Sequence, residues 1–557
     1  MPPALALKRL IVSDVEDLRR RYGSMDAAQE ARLITKFCLG AGAILVFLLA
    51  IRGKTFSLDY VHDLMIFYDG GSRILDGQLP NRDFHTPLGL LAYMLPAFGI
   101  WAGGSLGTMM PLATAAFAAI YLPFLIHVCT SRLPLKQALI FAFWAITLVV
   151  TPASIGETEP SFGMFYNRWG FGLLGLLFLL SLPRLHGGDS DWKDAAVAAA
   201  VLLLTFYLKI SYFAVAAGFM LPLVYLRHTR RMALLATALA LCGVAAVHLL
   251  WSGTGAYLQD IGAAAQISGG VRGSFAALAQ LALDNAATLF PFLLIVGLAA
   301  AAGVPFERLS LSLVVAGGGV LLANQNYQAL GISTLVPAAI LAAASVKACP
   351  TKHSLRLAAT LLLVTLAIPP AFSASRSILV HMAQPYAGSG KSVRVAEIDG
   401  YEAQELLSPG ADAERVERAR TFYRTGTADL ESVQMMRDEV SPPEYFTTIL
   451  DGLQLLRRDR RLSGKVFTFD FSNPFNAMLG RSGPRGVDSW YHRGRTFDER
   501  RHRSAEQTFA EVDVIMVPNA PADRNAYFLL SHLYGPYLAE KYKLVAKSDY
   551  WRAYARK

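Results

Sequence analysis

The sequence predicts a polytopic α-helical membrane protein with about 11 transmembrane helices and a small α/β extracytoplasmic domain at its carboxyl end. Of its 557 residues, 54% are hydrophobic and only 17% are charged, whereas about a quarter are charged in a typical soluble protein. Apolar stretches close to the length of a spanning helix recur through the first two thirds of the chain. Lys and Arg cluster in alternate short connections, which explains the net charge of +10 without a nucleic-acid partner.

Eleven apolar stretches are candidate membrane spans. They cover approximately 33–51, 108–129, 134–151, 168–183, 194–208, 211–226, 231–251, 286–303, 308–323, 330–347 and 354–372. A further apolar stretch, 86–102, is ambiguous, and we interpret it as a juxtamembrane or re-entrant segment. With that choice the positively charged loops all fall on the side of the amino terminus, as the positive-inside rule requires.

This topology divides the chain into three parts. Residues 1–32 form a cytoplasmic segment, 33–372 form the transmembrane domain with a first external loop at 52–107, and 373–557 lie outside. In a bacterium the protein would therefore be in the inner membrane, with its last part in the periplasm. The four cysteines form no CxxC or Cys/His cluster, so neither a disulfide framework nor a thiolate zinc site is expected.

The region after residue 373 predicts a small α/β domain. The run "YFTTILDGLQLLRRDRRL" has helical periodicity, "KVFTFDF" and "VDVIMVP" are typical of buried strands, and a further helix is predicted near "YGPYLAEKY". The domain contains no glycine-rich phosphate loop, GxSxG elbow or HExxH motif, so we expect no second catalytic centre there.

The first external loop contains an unusual set of ionisable residues, "HDLMIFYDGGSRILDGQLPNRDFHTPLG". Carboxylates close to a bilayer are costly unless they are hydrated or partnered, so four aspartates in one loop indicate a functional site. The ordinary alternative is a solvated amphipathic helix on the membrane surface. Asp63 is the first candidate and Asp83 the second, whereas Asp69 and Asp76 are expected on the hydrated face.

The spacing of this loop resembles that of GT-C membrane glycosyltransferases, such as the protein O-mannosyltransferases and the transferase that adds aminoarabinose to lipid A. In that family an Asp opens an amphipathic helix closed by Gly, followed by a "PYRDF"-like turn and a Pro-containing apolar segment; here the turn is "LPNRDF". The chain departs from the pattern with His62 beside Asp63, where many relatives have paired acids, and with Asn81 in place of Tyr. The resemblance implies a polyprenyl-phosphate sugar donor and an essential role for Asp63.

The chemistry of such a transfer needs few residues. Polyprenyl phosphate is already a good leaving group, so one carboxylate base suffices to deprotonate the acceptor hydroxyl, and Asp63 is the favoured base with Asp83 second. The departing phosphate needs positive charge from Lys, Arg or a divalent cation. The candidate substrate-binding residues, some of which could instead snorkel or cap helices, are Lys209, Arg168, Arg82, His85, Arg272, Asn324 and Asn326.

A second acidic pair suggests a metal site. Glu157 and Glu159, in the loop "GETEPSFGMFYNRWGF", are spaced like the acidic pair with which several GT-C enzymes bind a metal in this loop, and their oxygen ligands would suit Mg²⁺ or Mn²⁺. Two glutamates near a proline are also common in ordinary loops. Asp260, in the next external loop, could face the site or the solvent.

The favoured function is transfer of one sugar from a polyprenyl-phosphate donor to a cell-envelope acceptor, which would be a glycolipid, polysaccharide or protein. One alternative is a transporter or flippase of lipid-linked glycans, although the acids lie in external loops rather than at mid-membrane. Another is an enzyme of the O-antigen polymerase or ligase type, with a diphosphate-linked donor. The sugar, the acceptor and the role of the carboxyl-terminal domain are not defined by the sequence.

Overall fold

A computed structural model describes residues 25–153, 160–185, 191–268, 275–325, 331–347, 353–384, 393–406 and 440–557. Its first part is helical. In chain order the helices are α1 Ala27–Ala50, α2 Val61–Leu75, α3 Leu91–Gly103, α4 Leu106–Arg132, α5 Leu135–Val150, α6 Phe165–Leu179, α7 Asp191–Leu208, α8 Ile210–Tyr225, α9 Arg230–Trp251, α10 Thr254–Ser268, α11 Phe275–Asp284, α12 Ala286–Ala301, α13 Phe306–Gln325, α14 Leu335–Lys347 and α15 His353–Ala383. Each of the eleven predicted spans coincides with one of these helices.

Among the described residues, five helices are long and apolar enough to cross a membrane: α1, α4, α9, α13 and α15. Shorter apolar helices form α3, α5, α8, α12 and α14. Large apolar side chains are exposed on their outer surfaces, including Phe47, Tyr225, Leu250 and Phe290. Exposure of so much apolar surface to water would be unfavourable, whereas contact with lipid chains is not. The structure therefore supports a membrane protein.

Two predicted boundaries shift. Helix α1 begins at Ala27 rather than at 33 because Asp26 and Gln29 form a reciprocal capping box, in which Gln29 N donates to Asp26 Oδ1 at 2.7 Å. Helix α15 continues to Ala383 rather than ending at 372. Hydropathy falls where the polar residues begin, but these residues remain compatible with a helix, since Ser375 Oγ simply bonds to the carbonyl of Ala371 at 2.8 Å.

The long connection 252–285, which we expected to be a loop, contains two helices, α10 and α11. Alanine-rich sequence favours helix without the apolar length of a span. Helix α10 lies beside the first external loop, because Asp260 contacts His85. It is also held against α7, since the hydroxyl of Tyr257 donates to the carbonyl of Phe206. This connection is therefore part of the site region.

The carboxyl-terminal region forms the small α/β domain that the sequence predicts. It comprises α16 Pro442–Arg458, a 3₁₀ turn Arg460–Leu462, β4 Val466–Thr468, α17 Phe475–Met478, α18 Ala505–Thr508, β5 Val514–Pro518, α19 Arg524–Lys541, β6 Tyr542–Lys547 and β7 Trp551–Arg556. The sheet order is β4-β5-β7-β6, with β4 and β5 parallel and the other pairs antiparallel. Both predicted strands and both predicted helices are confirmed.

A second sheet ties this region to the first external loop. Strand β1, Thr55–Ser57, precedes α2, whereas β2, Val393–Ile398, and β3, Tyr401–Leu406, follow α15. The order is β1-β3-β2, and Thr55 pairs in parallel with Tyr401. The ring of Tyr401 then packs 4.9 Å from that of Phe446 on α16. The external loop is thus held in place by chain that comes more than three hundred residues later.

Candidate active site

Helix α2 carries the candidate base and is buried rather than solvated. Eleven of its fifteen residues are buried. Gly70 and Gly71 let α3 approach closely, since a Cβ on Gly70 would lie 2.3 Å from Cδ1 of Tyr93 and one on Gly71 would lie 3.1 Å from the backbone nitrogen of Ala97. The carboxyl-terminal domain lies close to the end of α2. The alternative of a solvated surface helix is therefore wrong for α2.

Asp69, which we expected on the hydrated face, is instead buried in an ion pair. Arg73 Nε donates to Asp69 Oδ2 at 2.7 Å, and both side chains are only 2% exposed. Arg73 also donates to the carbonyl of Pro484 in the carboxyl-terminal domain at 2.7 Å. Burial raises the pKa of Asp69 and the charge of Arg73 opposes the rise. Asp76 is exposed, as predicted.

Asp63 lies in the first turn of α2 and is 8% exposed. The helix starts after Tyr60, whose backbone is left-handed with φ of 49°. Oδ1 of Asp63 is 3.6 Å from Nε2 of His62. Burial lowers the pKa of His62 to about 4, so this imidazole is neutral near pH 7. The ring of Phe471, from the carboxyl-terminal domain, packs edge-on against it at 4.9 Å.

The start of α6 faces Asp63. The ring of Phe67, one turn after Asp63, lies 6.0 Å from that of Tyr166, and Tyr166 is within electrostatic range of Asp63. Arg168 is buried, and its guanidinium donates to the carbonyls of Ala153 at 2.7 Å and Gly163 at 3.2 Å. Arg168 therefore holds the loop that borders Asp63, because the carboxylate of Asp63 is also next to Gly163.

Lys209 lies between α7 and α8 and faces the same region. Its Nζ donates to Asn167 Oδ1 at 3.1 Å and lies 5.2 Å from the ring centre of Tyr166. Burial, with a smaller contribution from the positive charge of Arg495, lowers the pKa of Lys209 to about 7. The carboxyl-terminal domain thus brings a second cation towards Lys209.

Two buried donors in the first turn of α6 have no hydrogen-bond acceptor within the described parts of the chain. They are Nδ2 of Asn167 and Nε of Arg168, and both side chains are almost fully buried. Buried donors in native proteins are normally satisfied, so each exception calls for an explanation. A ligand oxygen is one group that would satisfy them.

The second candidate base, Asp83, closes a turn. Its Oδ2 accepts from the backbone N–H of Leu79 at 2.8 Å and from Arg82 at 2.9 Å, and its Oδ1 is 3.6 Å from Arg485. These contacts favour a structural role for Asp83. Arg82 is exposed and is held by the same carboxylate.

His85 lies in a cavity of about 330 Å³, together with Asp260, Asp488 and Arg503. Its Nδ1 is 3.0 Å from Oδ1 of Asp260. The backbone of His85 pairs with the carboxyl-terminal domain, donating to the carbonyl of Val487 and accepting from the N–H of Ser489. Asp260, whose direction the sequence left open, therefore faces this cavity.

The remaining predicted site residues are Asn324, Asn326, Arg272, Glu157 and Glu159. Asn324 lies half-buried in the last turn of α13. Asn326, Arg272, Glu157 and Glu159 lie outside the described residues, so their predicted roles stay predictions. Within the described ranges no group of three or more His, Cys, Asp and Glu is placed to hold a metal ion.

The sequence interpretation missed the contribution of the carboxyl-terminal domain to the site. The signal that could have revealed it is the run 490–504, "WYHRGRTFDERRHRS", with five arginines and two histidines in fifteen residues. It supplies Arg495 near Lys209 and Arg503 in the cavity. A basic run is usually a solvated surface, and the contacts that this one makes with the first external loop and α10 distinguish it.

No protein-family model, curated protein or solved structure matches this chain. The resemblance to GT-C glycosyltransferases therefore rests on the residues of the first external loop.

Proposed function

We propose that the protein is a membrane glycosyltransferase that moves a sugar from a polyprenyl-phosphate donor to a cell-envelope acceptor. The observation that carries the proposal is a buried carboxylate, Asp63, that lies near Tyr166 together with a set of buried donors. These donors are Lys209 Nζ, Asn167 Nδ2 and Arg168 Nε. A proton acceptor facing a cradle for an anion is the arrangement that transfer from a phosphate-linked sugar requires.

In the proposed mechanism, Asp63 accepts the proton of the acceptor hydroxyl as its oxygen attacks the anomeric carbon. The bond between that carbon and the phosphate oxygen breaks, and polyprenyl phosphate leaves with the electron pair. Lys209 and Arg495 compensate its charge, and the amide of Asn167 donates to a phosphate oxygen. The neutral imidazole of His62 shields one side of Asp63 from water. Because it carries no positive charge, it does not stabilise the ionised form of Asp63 as a cation would.

A divalent cation would supply further positive charge at the phosphate. Its ligands would be Glu157 and Glu159, both outside the described residues. The steps above assign charge compensation to Lys209 and Arg495 and do not depend on a metal.

We further propose the finer topology: 11 spans, an amino terminus in the cytoplasm, and the site and carboxyl-terminal domain in the periplasm of a bacterium. In support, the end of α1 meets the end of α15, where Arg52 donates to the carbonyl of Met382, on the side that carries Asp63. Helix α3 has 13 residues, about 20 Å of helix, against a hydrocarbon core of about 30 Å. Labelling of Ser105→Cys in a cysteine-free background tests this, since access from the cytoplasm would overturn it.

The central experiment is a donor screen with purified full-length protein in detergent. A radiolabelled polyprenyl-phosphate sugar should yield free polyprenyl phosphate, and Asp63→Asn should abolish the release. Asp76→Asn, which changes an exposed aspartate after the same helix, is the matched control and should retain activity. Unchanged turnover in Asp63→Asn would refute the role of this base. Movement of intact donor across proteoliposomes without cleavage would instead support a flippase.

A further inference from the structure

The cavity around His85 is built by three separate parts of the chain. His85, Thr86 and Pro87 come from the first external loop, Asp260 and Ile267 from α10, and Asp488 to Arg503 from the carboxyl-terminal domain. Its volume of about 330 Å³ lies within the range of small-molecule sites. The aspartate Asp63, Lys209 and the buried donors do not line it, so it is separate from the phosphate cradle.

Asp260 organises one wall of the cavity. Its Oδ2 accepts from Asn81 Nδ2 at 2.9 Å and from the N–H of Thr86 at 3.2 Å. Its Oδ1 lies 3.0 Å from Nδ1 of His85 and 3.5 Å from Arg503. A carboxylate accepts from Nδ1–H, so this contact orients the imidazole and leaves Nε2 outside it. His85 is partly exposed and lines the cavity, which makes Nε2 available to a ligand.

Asp488 forms the facing wall. Arg503 Nε is 3.7 Å from Asp488 Oδ1, longer than a hydrogen bond, and burial raises the pKa of Asp488 to about 6. Arg503 is shared between two carboxylates, and a ligand group placed between Arg503 and Asp488 could bond to both.

The lining favours a polyhydroxylated ligand over a charged one. Two carboxylates disfavour an anion, and Arg501 and Arg503 disfavour a cation. A hydroxyl both donates and accepts, so it suits a wall that alternates carboxylate, guanidinium and imidazole. The lining also includes uncharged polar side chains, such as those of Thr86 and Gln266, which can bond to hydroxyls. Its apolar part, formed by Pro87, Ala263, Ala264 and Ile267, suits the C–H face of a sugar ring.

We propose that this cavity binds a neutral sugar ring of the acceptor, an inference that rests on the proposed function. The run 490–504 connects the cavity with the phosphate cradle. Arg495 is within electrostatic range of Lys209, and the next residue, Thr496, lines the cavity. A glycan held by Asp488, Arg503 and His85 would therefore be presented beside the phosphate cradle. In this arrangement His85 is a binding residue, and Asp260 is a positioning residue that acts through it.

The test uses the full-length protein in detergent and a panel of neutral disaccharides as probes. Diethylpyrocarbonate modification of His85, followed by peptide mass spectrometry, should be slowed by a disaccharide, whereas modification of the exposed His532 should not change. Asp488→Asn should weaken this protection about tenfold, the usual consequence of losing a charge-assisted hydrogen bond. Asp549→Asn, an exposed aspartate of the same domain, is the control and should leave it unchanged.

Gln266→Ala, at an exposed position of α10 that lines the cavity, provides a second variant that preserves the fold, and should also weaken protection. Protection by inorganic phosphate but not by any disaccharide would overturn the proposal in favour of an anion site. Protection that neither variant changes, or no protection by any probe, would also overturn it. Hydrolysis of the donor is measured in parallel without a glycan acceptor, with water as the attacking hydroxyl and Asp63 as its base. It should survive Asp488→Asn, so its loss in Asp63→Asn tests the proposed function separately.

Discussion

Two buried aspartates of α2, Asp63 in its first turn and Asp69 towards its carboxyl end, have different surroundings. At the carboxyl end, Asp69 is matched by Arg73 at 2.7 Å, and that arginine also anchors the carboxyl-terminal domain through the carbonyl of Pro484. At the amino end, Asp63 lies beside a histidine that burial keeps neutral and near Tyr166, whose ring Lys209 also contacts. Asp69 is thus held in a buried ion pair with Arg73, whereas Asp63 lies beside a neutral imidazole and near the ring of Tyr166.

The difference shows that burial alone does not identify a catalytic carboxylate. Both aspartates are buried, and both lie in the same predicted helix. A tightly paired group such as Asp69 has its charge committed to the fold, and removing one partner is costly. A group that must take up and release a proton needs an environment that does not fix its charge so firmly.

The largest expected effect is on activity at the amino end. Asp63→Asn should lower turnover by about 10²- to 10⁴-fold, the usual contribution of a general base, and should leave the melting temperature close to that of the wild type. Single-turnover assays and thermal unfolding in the same detergent measure both. A melting temperature that falls in proportion to activity would remove the contrast between the two ends.

At the carboxyl end the expected effect is on stability. Asp69→Asn should cost about 3–5 kcal/mol because it leaves the buried Arg73 charge without its partner. Thermal unfolding and limited proteolysis between the membrane part and the carboxyl-terminal domain should both report this. The double variant Asp69→Leu, Arg73→Met should recover much of the loss, since it removes both charges. No recovery would mean that the pair acts through more than its charge.

The next effect is a pH dependence at His62. The pKa of His62 is about 4 in the folded protein and 6.5 in the unfolded chain. The unfolded chain therefore takes up a proton first as pH falls, so the free energy of unfolding is highest above pH 6.5 and decreases towards pH 4. Between pH 6.5 and about pH 5 the loss is about 2 kcal/mol. His62→Phe should flatten this part of the stability profile relative to the wild type. A profile that keeps its slope would place the titration on another group.

The smallest effect concerns Lys209. Lys209→Gln should raise the KM for the donor about tenfold through the loss of one charged contact to phosphate. With a pKa of about 7, wild-type Lys209 is charged below that pH, so donor binding should weaken as pH rises above 7. Lys209→Arg should retain binding at higher pH. An unchanged KM in Lys209→Gln would separate this residue from the phosphate site.

The sequence predicted the helices because membrane spans and amphipathic segments are local patterns. All eleven apolar stretches are helices, and both strands of the terminal domain are present where "KVFTFDF" and "VDVIMVP" lie. The capping box of Asp26 and Gln29 is a local sequence pattern, but it precedes the apolar stretch. Hydropathy therefore placed the start of α1 too late. Local chemistry therefore defined the elements and, approximately, their ends.

The site was only partly predictable because its contacts are distant in sequence. The spacing of the first external loop indicated Asp63, and Lys209 was a candidate as a charge between two apolar segments. The burial of Asp69, in contrast, depends on Arg73 and on Pro484, which is 415 positions later than Asp69. The contact of His85 with Asp260, and of both with Arg503, likewise joins segments with no local signal. The polar residues of α2 suggested a face exposed to water. Periodicity does not show that a distant segment, here the carboxyl-terminal domain, covers that face.

The pairing of Thr55 with Tyr401 has a consequence for the order of folding. Strand β1 is synthesised early but has no partner until β3 emerges, after α15 has been made. Contacts of such large sequence separation form late, because the loop between them must first be ordered. The first external loop should therefore stay incomplete until the helices are in place, and a chain truncated before residue 393 should contain Asp63 but lack an assembled site.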